Sequence, residues 1–174
     1  MAKVGLKSKT VTPEMVEFLK ESNYIESEFS EEAFQDSLKA WDYMRRQDEL
    51  TLMVVLKVHK LLLKRLNPTI SGKLRSCDVW IGGQHKKYIS VGELVMQLNN
   101  LFQKMPMQSS GNKETDAEWA KQCHIMFEGI HPHQDGNGRT GRIIYNWHRM
   151  KLGLPIDVIK CEDRFDYYKW FKDN

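Results

Sequence analysis

The chain has 174 residues and a formal net charge of +3 at pH 7, enough length to bury a real core and too little charge asymmetry for the basic stripe that nucleic-acid binding needs. Cys77, Cys123 and Cys161 form no C-x-x-C pair, and the odd count suits reduced intracellular thiols better than a disulfide framework. Met1 to Thr10 lacks the apolar stretch of a signal peptide, and the longest apolar run, Leu52 to Leu56, is far too short to span a membrane, so a cytoplasmic protein without nucleic-acid or membrane partners is expected.

Helix signals dominate the order of elements. Thr12 followed by Pro13 and Glu14 is a cap with proline at the first helical position, predicting a helix to about Lys20. Ser30 opens a second, with Phe34, Leu38, Trp41 and Met44 on its apolar face. Thr51 opens a third, carrying Leu52, Val55, Leu56, His59, Leu62, Leu63 and Leu66, stopped by Asn67-Pro68; His59 on that face reads as a structural histidine. Residues 77–89 read as a β-hairpin, with Val79-Trp80-Ile81 and Tyr88-Ile89 flanking a turn over Gly82 to Lys87 and the aromatic pair packing it. Ser90-Val91-Gly92-Glu93 is a capping box ahead of Leu94, Leu98, Leu101, Phe102 and Met105; Thr115-Asp116-Ala117-Glu118 is a second box. Gly153 and Pro155 end the helix that follows residue 136, and a last helix is predicted over 157–171 with Phe165, Tyr168, Trp170 and Phe171. The expected fold is mainly α, one compact helical domain with a single hairpin lying against it.

The densest chemistry lies in His131 to Arg142, H-P-H-Q-D-G-N-G-R-T-G-R. A glycine-rich turn opening a helix aims free N–H groups and the positive dipole end at one point, which suits an anion. Arg139 and Arg142, three apart, share a helix face beside that point and suit a polyphosphate. Asp135 is a hard oxygen ligand placed to hold Mg2+ between phosphates, and His131 is a candidate general base. His133 reads either as an aromatic packing group bonded to a carbonyl or as a second acid/base group. The spacing His131-x-His133-x-Asp135 also matches the ligands of dinuclear zinc hydrolases, but the chain lacks both the strands of that scaffold and further His/Asp clusters to complete it.

This segment resembles the signature of the Fic family, H-P-F-x-D/E-G-N-G-R-x-x-R, departing only at His133, where the family has Phe. Gly72-Lys73-Leu74-Arg75 through Gly83 is similar to the stretch leading into the family's flap hairpin, and Ser22 to Ser27 resembles its inhibitory motif S/T-x-x-x-E-G/N, with Ser27 replacing Gly or Asn. The resemblance implies a Fic fold with N-terminal helices over 1–50 and a catalytic core over 51–174, its hairpin at 77–89 and signature loop and helix at 131–152. It implies transfer of AMP from ATP to a Tyr, Thr or Ser hydroxyl of a protein, the chain itself included, with ATP as substrate and Mg2+ as cofactor. His131 would be the base, Asp135 the Mg2+ ligand, and Gly136, Asn137 and Gly138 with the Asn137 side chain would surround the α-phosphate. Arg139 would bind the β-phosphate and Arg142 the γ-phosphate. Glu26, with Ser22 heading the motif, would inhibit by pairing with Arg142. Val79, Trp80, Ile81, Tyr88 and Ile89 would dock the target's backbone by strand addition, and Tyr145 and Asn146 are candidates for the adenine pocket. Transfer of another phosphate-linked group, removal of AMP, or a binding module inactivated by His133 are the alternatives. Neither the target nor the oligomeric state is legible.

Overall fold

The computed structural model describes residues 11–81, 84–87 and 89–171. Seven helices and one antiparallel hairpin are present among them: α1 Pro13–Ile25, α2 Glu31–Met44, α3 Leu52–Leu63, β1 Val79–Ile81, β2 Gln84–Lys86, α4 Val91–Lys104, α5 Lys113–Ile130, α6 Asn137–Lys151 and α7 Arg164–Lys169. The mainly α fold with one hairpin is therefore as the sequence predicts.

Hydroxyl side chains start four of these helices. Thr12, Ser30, Thr51 and Ser90 each accept the backbone N–H three residues on, from Met15, Ala33, Val54 and Glu93, satisfying a donor that the first turn leaves without an intrahelical partner. α5 starts earlier than its capping box suggests. Asn112 Oδ1 accepts from Thr115 N–H at 2.8 Å, while Asp116 is spent on Ser109 and Ser110 in the preceding turn. α3 ends at Leu63, where the chain turns and Asn67 N–H closes back on the Leu63 carbonyl at 2.8 Å, leaving Leu66 exposed.

The predicted last helix is cut to six residues because tertiary bonds claim the backbone it would need. Asp157 N–H donates to Asn146 Oδ1 at 2.8 Å, the Asp157 carbonyl accepts from Asn146 Nδ2 at 3.1 Å, and Cys161 N–H donates to Glu21 Oε2 at 2.7 Å. Tyr167 is the residue α7 buries, whereas Phe165 and Tyr168 face solvent. In the hairpin Val79 pairs with Lys86, Trp80 with His85 and Ile81 with Gln84, so the second strand comes sooner than residues 88–89. A Gly-Gly dipeptide favours a two-residue connection over the longer turn expected. Ile89 lies outside both strands, Trp80 is 68% exposed with His85 as its ring neighbour, and Tyr88 lies outside the described residues.

One apolar cluster joins α1 to α6: Phe18 and Leu19, Trp41 and Met44, Val55 and Leu63, Leu94 and Leu98, Phe127, Ile143 and Trp147. Each such side chain contributes on the order of 1.5–3 kcal/mol by leaving water. The N-terminal helices thus share their core with the rest. α6 is buried along nearly its whole length, from Asn137 to His148, and that position fixes its N-terminus against α1, α3 and the end of α5. No described helix is long and apolar enough to cross a membrane, and the three cysteines are free thiols.

Candidate active site

The site is built where α5 hands over to α6. α5 ends in His131, whose backbone turns left-handed at φ 51°, ψ 62°. Histidine tolerates that region better than most residues, but it is still an uncommon conformation that its surroundings must hold. Arg75 does so. Its Nε donates to the His131 carbonyl at 2.9 Å, and its backbone N–H to the Pro132 carbonyl at 2.8 Å. The same guanidinium donates through Nη1 to the carbonyls of Cys77 and Lys87, at both feet of the hairpin, at 3.1 Å each. Arg75 is 1% exposed; the sequence places it in the stretch leading to the hairpin but gives no signal of a bond made 56 residues away.

The loop from 132 to 136 is closed by Asn137, whose Oδ1 accepts from His133 N–H and whose Nδ2 donates to the His133 carbonyl, both at 2.9 Å. One Nδ2 hydrogen and one Oδ1 lone pair of that amide are thus spent on the loop itself. Gly136 N–H likewise donates to Asp135 Oδ1 at 2.7 Å. Gly136, at φ 78°, offers no side chain to cap α6, so the first amides of the helix have no side-chain cap among the described residues. Asp135 is exposed beside them and His131 is half-buried.

The two arginines differ in their partners. Arg139 is 7% exposed, and its Nε finds no hydrogen-bond partner among the described residues. Burial holds its pKa below the ordinary arginine value, against the pull of Glu26, Asp135 and Glu28. Arg142, 1% exposed, is saturated: Nε donates to Ser22 Oγ and Nη2 to the Ser22 carbonyl, both at 2.9 Å, while Nη2 also donates to Glu26 Oε1 at 2.7 Å. Its guanidinium lies over the Tyr167 ring, 5.6 Å from the centroid. Burial alone would ease its proton off, but Tyr167 and Glu26 carry its pKa above the usual value. The Glu26–Arg142 contact that the motif implies is thus present.

Two backbone features let Glu26 reach. Glu26 caps α1, and Ser27 takes φ 58°, with Ser27 N–H donating to the Tyr24 carbonyl at 2.9 Å and Glu28 N–H to the Asn23 carbonyl at 3.0 Å. That is the left-handed helix end for which Gly or Asn is usual, and serine adopts it. Gly138 supplies the second: a Cβ there would collide with Glu26 Oε1 and stand 3.0 Å from Arg142 Nη1.

Beneath Arg142 lies a buried polar cluster the sequence did not flag. His124 Nε2 bonds the Tyr167 hydroxyl at 2.8 Å, and Glu128 packs against Gly141, where a Cβ would collide with its Oε1. Burial pushes the Glu128 carboxyl up to about 8 and the His124 imidazole down to about 3.

His133 is fully buried, bonds the Lys73 carbonyl through Nδ1 at 2.7 Å, and stacks on His59 with centroids 3.7 Å apart. Burial, then His59, lowers its pKa to about 3. It is the aromatic packing group, not a second acid/base, and it shares no ligand point with Asp135. No group of three or more His, Cys, Asp or Glu suited to a metal occurs among the described residues, which leaves the H-x-H-x-D spacing without the structure of a dinuclear site. Tyr145 and Asn146 are also elsewhere than expected: both are buried and spent on Asp157, Tyr145 through its hydroxyl at 2.7 Å. The site therefore joins His131, Asp135, the α6 N-terminus, Arg139 and Arg142 with Ser22 and Glu26, beside a hairpin that Arg75 ties to it.

A model of the Fic/DOC family matches residues 49–148, more than half the chain, and the chain belongs to that family. It is 28% identical over 129 residues to a protein from Aedes aegypti named protein adenylyltransferase Fic, and 30% identical over 124 residues to one of that name from Drosophila grimshawi. These alignments cover 74% and 71% of this chain, which spans about a quarter of those relatives' length (25% of each). Among solved structures, Fic-1 (residues 134–508) from C. elegans superposes with a TM-score of 0.71 at 20% identity, over 90% of this chain and 54% of that one. A Fic-domain-containing signaling protein from Bacteroides thetaiotaomicron gives 0.70 at 22% identity, over 88% and 69%. These likenesses establish the fold.

Proposed function

We propose that the protein transfers AMP from MgATP to a Tyr, Thr or Ser hydroxyl of a protein, itself included, and that Glu26 restrains this activity. The observation that carries the reading is the α6 N-terminus: a helix start without a side-chain cap lies ahead of two buried arginines one turn apart, with His131 and Asp135 in the turn before them. The adenylyltransferase names of the relatives from Aedes aegypti and Drosophila grimshawi support the same reaction.

In that reaction the amides of Gly138 and its neighbours receive the α-phosphate and stabilise the charge that grows on it during attack. Arg139, a buried cation whose Nε lacks a hydrogen bond among the described residues, suits the β-phosphate, and Arg142 takes the γ-phosphate. Neutral His131 accepts the proton of the incoming hydroxyl as its oxygen bonds to the α-phosphorus. The α–β bridging bond breaks, pyrophosphate departs with the electron pair, and a phosphodiester remains on the target. Asp135, with one oxygen bonded to Gly136 and the side chain exposed, fits a Mg2+ ligand, since that ion is commonly held by one carboxylate together with substrate phosphates. When bound, the ion would neutralise phosphate charge and orient the leaving group. The hairpin offers an edge on which an extended target segment can add as a strand.

Glu26 Oε1 lies in the space that Gly138 leaves open and holds Arg142. A γ-phosphate and this carboxylate therefore compete for one guanidinium. Incubation with ATP labelled in the α-phosphate, and separately in the γ-phosphate, tests the reaction. Acid-stable label on protein from the α-labelled nucleotide alone is expected; label from the γ-labelled nucleotide, or binding without covalent label, overturns it.

A further inference from the structure

His59 and His133 lie flat on one another, planes 4° from parallel, and both are fully buried. Hydrogen bonds fix the tautomer of His59. Gly72 N–H donates to His59 Nδ1 at 2.9 Å, so that nitrogen carries the lone pair and the proton sits on Nε2. Nε2 then faces the Asp135 carbonyl at 2.9 Å and donates to it. The bond ties the loop ahead of α6 to the middle of α3. The backbone packs closely there as well: a Cβ on Gly136 would come within 2.6 Å of Leu63 Cδ2 and 3.3 Å of His59 Nε2. Asp135 is thereby held at two points, its carbonyl by His59 and its carboxylate Oδ1 by Gly136 N–H. The other carboxylate oxygen is left for a ligand on the exposed side.

We infer that His59 is a positioning residue for Asp135, and that the chain Gly72 N–H to His59 to the Asp135 carbonyl sets the angle at which the carboxylate meets Mg2+. The inference rests on the nucleotide reading above. His133 has a different part in it. Its flat face supports the His59 ring, while its own Nε2 has no hydrogen-bond partner among the described residues, so it adds orientation and leaves the bond to Asp135 to His59. Groups that orient a metal ligand through a hydrogen bond typically change metal affinity about 10–100-fold when lost.

The test compares His59→Gln with His59→Met. The two side chains have the same length and both lose the ring, but only the amide can donate to the Asp135 carbonyl. ATP binding is measured by calorimetry across a Mg2+ series and without Mg2+, with Tm recorded for each variant and Asp135→Ala run alongside. The expected result is a rise of about tenfold in half-saturating Mg2+ for His59→Met, a rise of less than about threefold for His59→Gln, and unchanged Mg2+-free ATP binding in both. Nitrogen-15 shifts of wild-type His59 should show a protonated Nε2 and a bare Nδ1. Equal Mg2+ requirements in the two variants, or equal losses with and without Mg2+, reduce His59 to a packing residue and overturn the inference. If loss of the ring unfolds both variants, His59→Phe keeps the stack without the donor and must still raise the Mg2+ requirement. An Asp135→Ala protein with the wild-type Mg2+ requirement would instead sink the nucleotide reading itself.

Discussion

The first and second turns of α6 each bury one arginine, yet the two lie in opposite states. Around Arg139 the described residues leave its Nε without a hydrogen bond, next to a helix start without a side-chain cap and an exposed carboxylate. Around Arg142 they supply a hydroxyl, a carbonyl, a carboxylate and an aromatic face, all from α1 and α7. A buried charge without partners is costly, so the first turn is stabilised by any anion that arrives. The second has already been neutralised from within. Under the proposed reading one half of the site is ready for a polyphosphate, whereas the other must exchange a partner first.

Substitutions at Arg139, Glu26, Arg142 and Ser27 test this contrast, and two at His131 and His133 lie outside it. The largest loss belongs to His131, which sits in neither half. His131→Ala should lower transfer by about 10²–10⁴-fold while calorimetric ATP binding stays near wild type. Arg139→Ala removes the ready half. It should weaken ATP binding more than AMP binding, by about tenfold for a lost charged hydrogen bond, and equal losses for the two nucleotides would erase the contrast. Glu26→Gly opens the occupied half and should raise self-labelling by about tenfold or more, with AMP affinity little changed. Combining it with Arg142→Ala should abolish the gain, since the released guanidinium is gone; unchanged self-labelling in Glu26→Gly would leave the Glu26–Arg142 bond purely structural.

The effect of His133→Phe is read in pH dependence. Native His133 stays neutral to about pH 3, whereas an unfolded histidine gains its proton near 6.5. The unfolded state therefore binds the extra proton as pH falls, so the stability tied to this residue is complete above 6.5 and is lost toward 3. Urea unfolding between about pH 4 and 7 should show a flatter acid limb in His133→Phe, with His124 retaining its own share, and activity preserved. The smallest effect is at the end of α1. Ser27→Gly relieves a non-glycine left-handed residue and should add about 1 kcal/mol, or roughly 2–4 °C in Tm, while lowering basal self-labelling by steadying Glu26.

What the sequence discloses here follows the range of the interactions involved. Helix starts at Thr12, Ser30, Thr51 and Ser90 are local events, a hydroxyl and an amide three residues apart, and the chain announces them. The ordered run from His131 to Arg142 likewise contains its own turn and its two arginines. Where a distant partner decides, local reading misleads. Asn146 seizes the backbone at Asp157 and shortens the last helix, and Glu21 holds Cys161. Arg75 and His59 went unassigned to the site because His131 and Asp135, whose carbonyls they bond, lie 56 and 76 residues further along the chain. Glu26 is the exception: its partner is 116 residues away, yet the short motif around it was enough to pair it with Arg142.

Arg75 has a mechanical meaning beyond holding a strained turn. One rigid, planar guanidinium serves as the common datum for both feet of the hairpin and for the carbonyl of His131. Its donors keep fixed mutual angles, so the hairpin cannot slide without dragging the imidazole's backbone along. Under the proposed reading, a segment clamped on the hairpin is gauged against His131 whatever its sequence, like work held in a jig that is bolted to the tool.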